Sequence, residues 1–191
     1  MKRISTLALA GAAVFALSLG MNATAPSIAA EKTVMVGGAA MYPSKNIIQN
    51  AVNSKDHTTL VAAVKAAGLV ETLSGDGPFT VFAPTNAAFG KLPAGTVDSL
   101  LKPENKAQLT KILTCHVVSA NAMSSAIKKM IKDDAGRHPV KTVGGCTWTA
   151  KLRGDSIVLV DAKGHEATIT IANVKQSNGV IHVIDTVLLP G

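Results

Sequence analysis

Two short blocks, TVFAPTNAAF at 80–89 and NGVIHVIDTVLLP at 178–190, carry most of the fold information in this 191-residue chain. In the first block, β-branched and aromatic residues over 79–83 predict a short strand that ends at Pro84. Thr85, or the residue after it, can cap the helical turn that follows. The first block therefore predicts a strand that runs directly into a helix.

The second block is almost continuously apolar, which is typical of a central strand covered on both faces. It predicts a strand over 180–189. Asn178 and Gly179 are predicted to supply the positive φ angles of a tight turn that leads into this strand. Phe82 and Phe89 of the first block are among the few large apolar side chains, and we expect both to anchor the core.

Outside the two blocks, the hydrophobic period changes at Pro139. Before this residue, apolar positions recur with helical spacing, and they predict helices over 46–53, 58–67, 105–118 and a stretch from Met123 to Ile131. Gly68 is predicted to stop the second helix. After Pro139, β-branched residues recur with period two and predict strands over 140–143, 147–152, 156–160 and 168–171. Helices followed by strands, without a repeat or a linker, predict one α+β domain.

The first thirty residues have the features of a secretory signal peptide. Lys2 and Arg3 precede an apolar run over 4–19, and small residues lead to a cleavage site near Ala30. No later apolar run approaches the ~18 residues that a membrane-spanning helix needs. We therefore expect a secreted or periplasmic protein with no transmembrane segment in its mature chain.

Composition argues against a disordered chain and against a nucleic-acid partner. With 47% hydrophobic and 16% charged residues, the chain is too apolar to stay disordered. Without Lys2 and Arg3, 17 basic and 12 acidic residues remain, and the basic ones are scattered along the sequence. Nucleic-acid binders usually concentrate basic charge and add stacking aromatics, of which this chain has few. We expect no nucleic-acid partner and at most weak attraction to anionic polymers of a cell surface.

The two cysteines, Cys115 and Cys146, are expected to form a disulfide, because export places them in an oxidising compartment. Two free thiols are the alternative. The cysteines are too far apart in sequence for a C-x-x-C redox motif, so we expect the disulfide to be structural.

No pattern in the chain predicts a catalytic or metal site. The five histidines form no i, i+4 pair and have no metal-ligand spacing with either cysteine. His116 lies on the apolar stripe of its predicted helix, and we expect it to be a hydrogen-bonded core residue; we expect the same of His182. Nucleophile-elbow, P-loop and dinucleotide-binding patterns do not occur.

The two blocks, together with the helix-borne His116 between them, resemble the fasciclin-like domain family, and the chain is most similar to its secreted single-domain bacterial members. The resemblance covers residues 44–190, which leaves residues 31–43 as an N-terminal extension. It implies an α+β wedge: a twisted β-sandwich of about seven strands with helices packed along one side. The motif residues, all expected to be structural, are Thr80, Phe82, Pro84, Thr85, Phe89, His116, Asn178, Gly179, His182 and Asp185.

The chain departs from the family pattern at two places. The family usually has Tyr before the central histidine, where this chain has Cys115. In animal adhesion members, an Asp-Ile sequence before the second block is associated with integrin binding. The matching stretch here is Asn173–Val174–Lys175, which lacks the carboxylate but remains a candidate interaction site.

A literal Arg153–Gly154–Asp155 tripeptide is a second candidate interaction site. It falls between two predicted strands, where we expect an exposed hairpin tip. Arg and Asp that point apart from a turn form the geometry that integrins use. Gly-Asp is also common in ordinary turns, so the tripeptide alone does not decide between an integrin-binding site and a purely structural turn.

The family resemblance implies an exported, non-enzymatic adhesion or interaction module. Its partners would be proteins or polysaccharides at a cell surface or in the cell envelope, and homophilic association is one form such binding can take. The alternative is a carrier of an apolar small molecule, such as a pigment or a lipid, because some fasciclin-like proteins bind apolar pigments. No cofactor is expected.

Overall fold

Short α-helices make up about half of residues 31–133. The computed structural model describes residues 31–191, so the predicted signal peptide lies outside the described residues. A small hairpin of strands β1 (Val34–Val36) and β2 (Ala39–Met41) comes first. The helices are α1 (Ile47–Ala51), α2 (Thr58–Ala67), α3 (Val70–Ser74), α4 (Asn86–Gly90), α5 (Thr96–Leu100), α6 (Lys106–Cys115) and α7 (Ser124–Asp133).

Local capping fixes several helix ends. Asn46 and Gln49 form a capping box at the start of α1, each side chain bonding the other's backbone. Helix α2 ends at Gly68, whose φ of 75° is left-handed, and the predicted stop is confirmed. Thr85 caps α4 by accepting a hydrogen bond from the backbone N–H of Ala88 at 3.2 Å.

Seven further strands form one sheet. They are β3 (Phe79–Pro84), β4 (Val117–Val118), β5 (Arg137–Lys141), β6 (Thr147–Arg153), β7 (Ser156–Val160), β8 (Glu166–Gln176) and β9 (Gly179–Ile184). Their order is β4-β3-β9-β8-β7-β6-β5, and only the β3–β9 pair is parallel. The backbone N–H of Val143, just beyond one edge strand, bonds the carbonyl of Val117 in the other at 2.8 Å. The sheet is therefore nearly closed, and the predicted α+β class with about seven strands is confirmed.

The helix observed in the region 105–118 is shorter than the one predicted from the apolar pattern. Helix α6 ends at Cys115, and His116 follows it as the C-cap. Val117 and Val118 leave the helix because they pair with β3 as strand β4. The prediction that His116 lies within the helix was wrong by one residue, whereas its burial was predicted correctly.

The strand predicted over 180–189 ends at Ile184. All six residues of β9 are buried, which confirms a central strand covered on both faces. Val187 and Leu188 are also buried but are not in the sheet. The backbone N–H of Leu188 bonds the ring nitrogen Nε2 of His116 at 3.1 Å, so tertiary contacts replace the strand ladder.

Two other strand boundaries and one turn differ from prediction. The edge strand β5 lies earlier than the predicted 140–143, and β8 extends well beyond the predicted 168–171. Asn173 interrupts β8 with a φ of 61° within an irregular register against β9. Among the described residues, Asn178 does not have the positive φ predicted for it.

Buried apolar residues form two clusters. The first lies beneath helices α1, α2 and α6, and it includes Val36 and Met41 of the N-terminal hairpin, within the stretch expected to be an extension. The second lies between α7 and strands β6 and β7, with Trp148 at its centre. Within residues 31–191, no helix combines the length and the apolar character needed to span a membrane.

Candidate interaction surface

Asn178 joins three segments that are distant in sequence. Its side-chain oxygen accepts a hydrogen bond from the backbone N–H of Ile47 at 3.0 Å, and its amide nitrogen donates to the carbonyls of Leu73 and Gly75 at 2.9 and 2.7 Å. The residue is 7% exposed. Its amide is therefore used inside the fold, where it satisfies backbone groups that helices α1 and α3 leave unpaired.

Gly179 is required by close backbone packing. A Cβ atom at this position would lie 1.9 Å from the carbonyl oxygen of Phe79 in the neighbouring strand. No side chain can occupy that space, so the tight entry into β9 depends on glycine.

His116 and His182 are internal hydrogen-bonding groups. Nδ1 of His116 lies 2.8 Å from the carbonyl of Ile112, and its Nε2 accepts from Leu188. Nε2 of His182 lies 2.8 Å from the carbonyl of Ala122, and its Nδ1 accepts from the backbone N–H of Asn173. Burial lowers the pKa of both rings, and their carbonyl partners raise it by less. Both imidazoles are thus neutral, and both nitrogens of each ring have a hydrogen-bond partner within the fold.

The other motif residues also make contacts within the fold. The hydroxyl of Thr80 donates to the carbonyl of Ala120 at 2.5 Å and accepts from the N–H of Ala122 at 2.8 Å. Asp185 accepts a hydrogen bond from the backbone N–H of Thr168 at 2.8 Å. The remaining members, besides the capping Thr85, are buried apolar side chains, namely Phe82, Pro84 and Phe89. The ring of Phe82 stacks on that of His182 with centroids 5.7 Å apart.

His57 is a buried residue that the sequence analysis did not single out. Its Nδ1 lies 2.8 Å from the hydroxyl of Ser54, but its buried Nε2 has no hydrogen-bond partner among the described residues. Burial lowers the pKa of His57. The carbonyl of Ala83, which lies near the ring without the geometry of a hydrogen bond, and the carboxylate of Asp56 raise it by less. The ring lines an apolar crevice of about 50 Å³ beneath α1 and α2. The sequence did not predict this site, because the ring of His57 and the apolar residues around it come together only in the folded chain.

A disulfide joins Cys115 and Cys146, with their Cα atoms 5.4 Å apart. It connects the end of α6 to the residue just before β6. The indole nitrogen of Trp148 donates to the carbonyl of Cys115 at 2.7 Å, which adds a hydrogen bond to the same junction. The disulfide closes a loop that includes α7 and β5.

The candidate stretch Asn173–Val174–Lys175 is largely part of the fold. The amide of Asn173 accepts from the backbone N–H of Ser124 and donates to its hydroxyl, both at 2.7 Å, which fixes the start of α7. Val174 is 1% exposed. Lys175 is exposed, and Asn173 is half-buried.

The Arg153–Gly154–Asp155 tripeptide lies at the turn between β6 and β7, and all three residues are exposed. The hairpin-tip prediction is confirmed. The guanidinium of Arg153 forms an ion pair with Glu166, which also pairs with Lys151. Hydrogen bonds from these two cations lower the pKa of Glu166, and the bond from Lys151 has the larger effect. No hydrogen bond among the described residues links this turn to the Asn173 stretch.

Comparison with known proteins identifies the scaffold. The sequence profile of the Fasciclin domain matches residues 55–190. The chain belongs to the fasciclin family. Protein sll1483 of Synechocystis sp. is 46% identical over 176 residues, covering 92% of this fasciclin chain and 91% of the relative. The cell surface glycolipoprotein MPB83 of Mycobacterium bovis is 35% identical over 167 residues, covering 85% of this chain and 68% of the relative.

A solved structure agrees with the fold of this fasciclin domain. It is a domain pair from the insect cell adhesion molecule fasciclin I, with a TM-score of 0.67 and 16% sequence identity. The alignment covers 84% of this chain and 58% of that chain. At this identity the similarity concerns the fold alone. Within residues 31–191, no cluster of three His, Cys, Asp or Glu side chains is arranged to hold a metal ion.

Proposed function

We propose that this fasciclin domain is an exported, non-enzymatic interaction module that binds extracellular or cell-envelope partners through its outer surface. One observation carries the proposal: the polar motif side chains, such as Asn178, His116 and His182, form their hydrogen bonds with groups inside the fold. What remains for recognition is the exterior. A family relative named as a cell surface glycolipoprotein supports this proposal.

The proposed location is outside the cytoplasm, in the periplasm or the medium. The sequence features of residues 1–30 support export with cleavage near Ala30, and a disulfide is the form that cysteines keep in an oxidising compartment. Mass spectrometry of the exported protein should find a chain that begins at Glu31. A chain that retains residues 1–30, or stays in the cytoplasm, would contradict the proposed location.

Affinity capture tests the module itself. The oxidised chain 31–191, immobilised, should retain a protein or polysaccharide of the native envelope in a saturable way. The matched control is the same chain reduced, alkylated and unfolded, which has the same composition without the folded surface. Analytical ultracentrifugation tests self-association. Absence of any specific ligand and of any self-association at high protein concentration would overturn the proposal.

The Arg153–Gly154–Asp155 turn is a candidate contact for integrin-bearing cells. Asp155 is exposed, but Arg153 must leave Glu166 before it can meet a partner. Cell attachment to immobilised protein should fall with Asp155→Glu and stay unchanged with Asp76→Glu, which alters another exposed turn. Equal attachment with both variants would remove the turn from consideration.

Carriage of an apolar molecule is a second candidate, favoured by the crevice at His57. An unpaired buried nitrogen in an apolar cavity fits a ligand that is mostly hydrocarbon and offers one hydrogen-bonding atom. The crevice of about 50 Å³ has room for only a few water-sized groups, so a larger ligand requires it to open. Solvent extraction of native preparations should yield such a ligand, and Ala51→Leu, which fills the crevice, should abolish it.

A further inference from the structure

The net positive charge of the mature chain lies in one continuous segment. Residues 106–153 contain nine of the 17 basic residues but only two of the 12 acidic ones, so the rest of the mature chain is slightly acidic. This segment comprises α6, α7, β5 and β6. The segment therefore carries a strong excess of basic residues, although no run within it is densely basic.

The register of β5 and β6 places four of these cations on one face. Arg137 lies directly opposite Lys151, and Lys141 lies opposite Thr147. Alternation along β6 adds Thr149 and Arg153 to the same face. We call Arg137, Lys141, Thr147, Thr149, Lys151 and Arg153 the basic sheet face. It is two strands wide and, from Arg137 to Lys141, roughly 13 Å long.

Charge on the basic sheet face is not balanced internally. Glu166 pairs with both Lys151 and Arg153, whereas Arg137 and Lys141 form no ion pair with any described residue. The Arg137–Lys151 pair sets like charges opposite each other, which destabilises an antiparallel ladder. The four cations and Glu166 together leave the face with a net positive charge, which an anionic partner can neutralise.

A partner is expected to lie across this face and not to add a strand at its edge. β5 is the last strand of the sheet, but its central residue is Pro139, which has no N–H to donate to an added strand. The cations and threonine hydroxyls of the face offer side-chain donors instead. These donors suit carboxylates and hydroxyl groups.

We propose that the basic sheet face binds an acidic polysaccharide, which deepens the proposed interaction function on which it rests. The exposed large apolar residues, Met35, Tyr42, Val52 and Val143, all lie outside β5, β6, β7 and β8. Pro139 is the exposed apolar residue of β5 and β6 on this face, so these two strands offer neither a large apolar side chain that could enter a lipid surface nor an aromatic ring on which bases could stack. Carboxylates and hydroxyls on one polymer match its cations and threonines.

Alginate, a polymer of uronic acids, is the probe, and neutral dextran is the control surface. The oxidised chain 31–191 should bind immobilised alginate, more weakly as salt is raised, and should not bind dextran. The combined variant Arg137→Gln, Lys141→Gln and Lys151→Gln should weaken alginate binding about tenfold, as expected for the loss of a few exposed ion pairs. Lys141→Gln alone, which breaks no internal ion pair, should weaken it measurably.

The matched control variant removes the same charge elsewhere, with Lys32→Gln, Lys55→Gln and Lys102→Gln. All three lysines are exposed and lie outside the basic sheet face. Their combined loss should leave alginate binding within about twofold. The unfolding midpoint of each variant, followed by Trp148 fluorescence, establishes that it is folded.

The possible outcomes separate the two proposals. Loss of binding by the face variant alone supports the assignment. Equal loss by both combined variants would show attraction to net charge and overturn it. Preference for phosphatidylglycerol vesicles or single-stranded DNA over alginate would also overturn it. If alginate does not bind but an envelope protein is captured equally by the native chain and the face variant, the polysaccharide assignment fails while the interaction module stands.

Discussion

Lowering the pH from 7.0 to 5.5 is expected to destabilise the folded chain strongly, because three buried histidines are held neutral. Burial lowers the pKa of His57, His116 and His182 below the ordinary value of 6.5. The unfolded chain takes up protons at these rings near pH 6.5, whereas the folded chain takes them up only at a lower pH. The stability that this difference controls is therefore complete above pH 6.5 and is lost as the pH falls below it.

The size of the loss follows from proton linkage. A histidine that stays neutral down to pH 5.5 in the folded chain lowers the free energy of unfolding by at most about 1.3 kcal/mol between pH 7.0 and 5.5, so the upper limit for three is about 4 kcal/mol. That is a large part of the ~5–15 kcal/mol by which domains are stable. Protonating His116 inside the folded chain would not avoid this loss of stability, because a charged ring could not accept the 3.1 Å hydrogen bond from the backbone N–H of Leu188.

Urea unfolding at several pH values measures this effect. Trp148, the only tryptophan in the chain, is 1% exposed and reports unfolding by fluorescence. In the variant His116→Gln, the amide can still donate to Ile112 and accept from Leu188 without titrating, so about a third of the pH dependence should disappear. Equal free energies of unfolding at pH 7.0 and 5.5 in the native chain would refute the reasoning.

Three further changes probe the interior, each measured by urea unfolding. Reducing the Cys115–Cys146 disulfide, with its sequence separation of 31, should lower the free energy of unfolding by about 3.7 kcal/mol; an unchanged midpoint would contradict this. Asn178→Ala leaves three backbone groups without their partner and should cost about 3 kcal/mol or more; a loss below about 1 kcal/mol would show that water replaces the amide. Gly179→Ala, whose Cβ would lie 1.9 Å from a carbonyl of β3, should prevent folding, whereas Gly90→Ala, with open space, should not destabilise the chain.

Features that depend on neighbours in sequence were predictable. Helix α2 occupies the predicted 58–67, because its apolar stripe and its terminating Gly68 are both local signals. Strand β7 also has its predicted bounds, 156–160. The two blocks identified the family because each combines a buried strand with a turn or a cap.

Features that depend on partners distant in sequence were not predictable. Apolar residues at 187–188 correctly indicated burial but not the backbone state, since Leu188 is held by His116, 72 positions away. The unpaired nitrogen of His57 follows from the packing of α1 and α2 over it. The basic sheet face follows from the pairing of Arg137 with Lys151, which requires the register of β5 and β6.

The division between interior and exterior has a consequence for how this family varies. Because Asn178 and His116 are occupied by the fold, a family match predicts the core and leaves the partner open. Residues such as Arg137 and Lys141 are exposed and lie outside both blocks, so substitutions there can change binding at little cost in stability. Arg137→Gln should therefore alter polysaccharide binding without moving the unfolding midpoint, and Asn178→Ala should do the reverse as long as the chain stays folded. Variants that changed both properties together would show that the binding surface and the core are not separable.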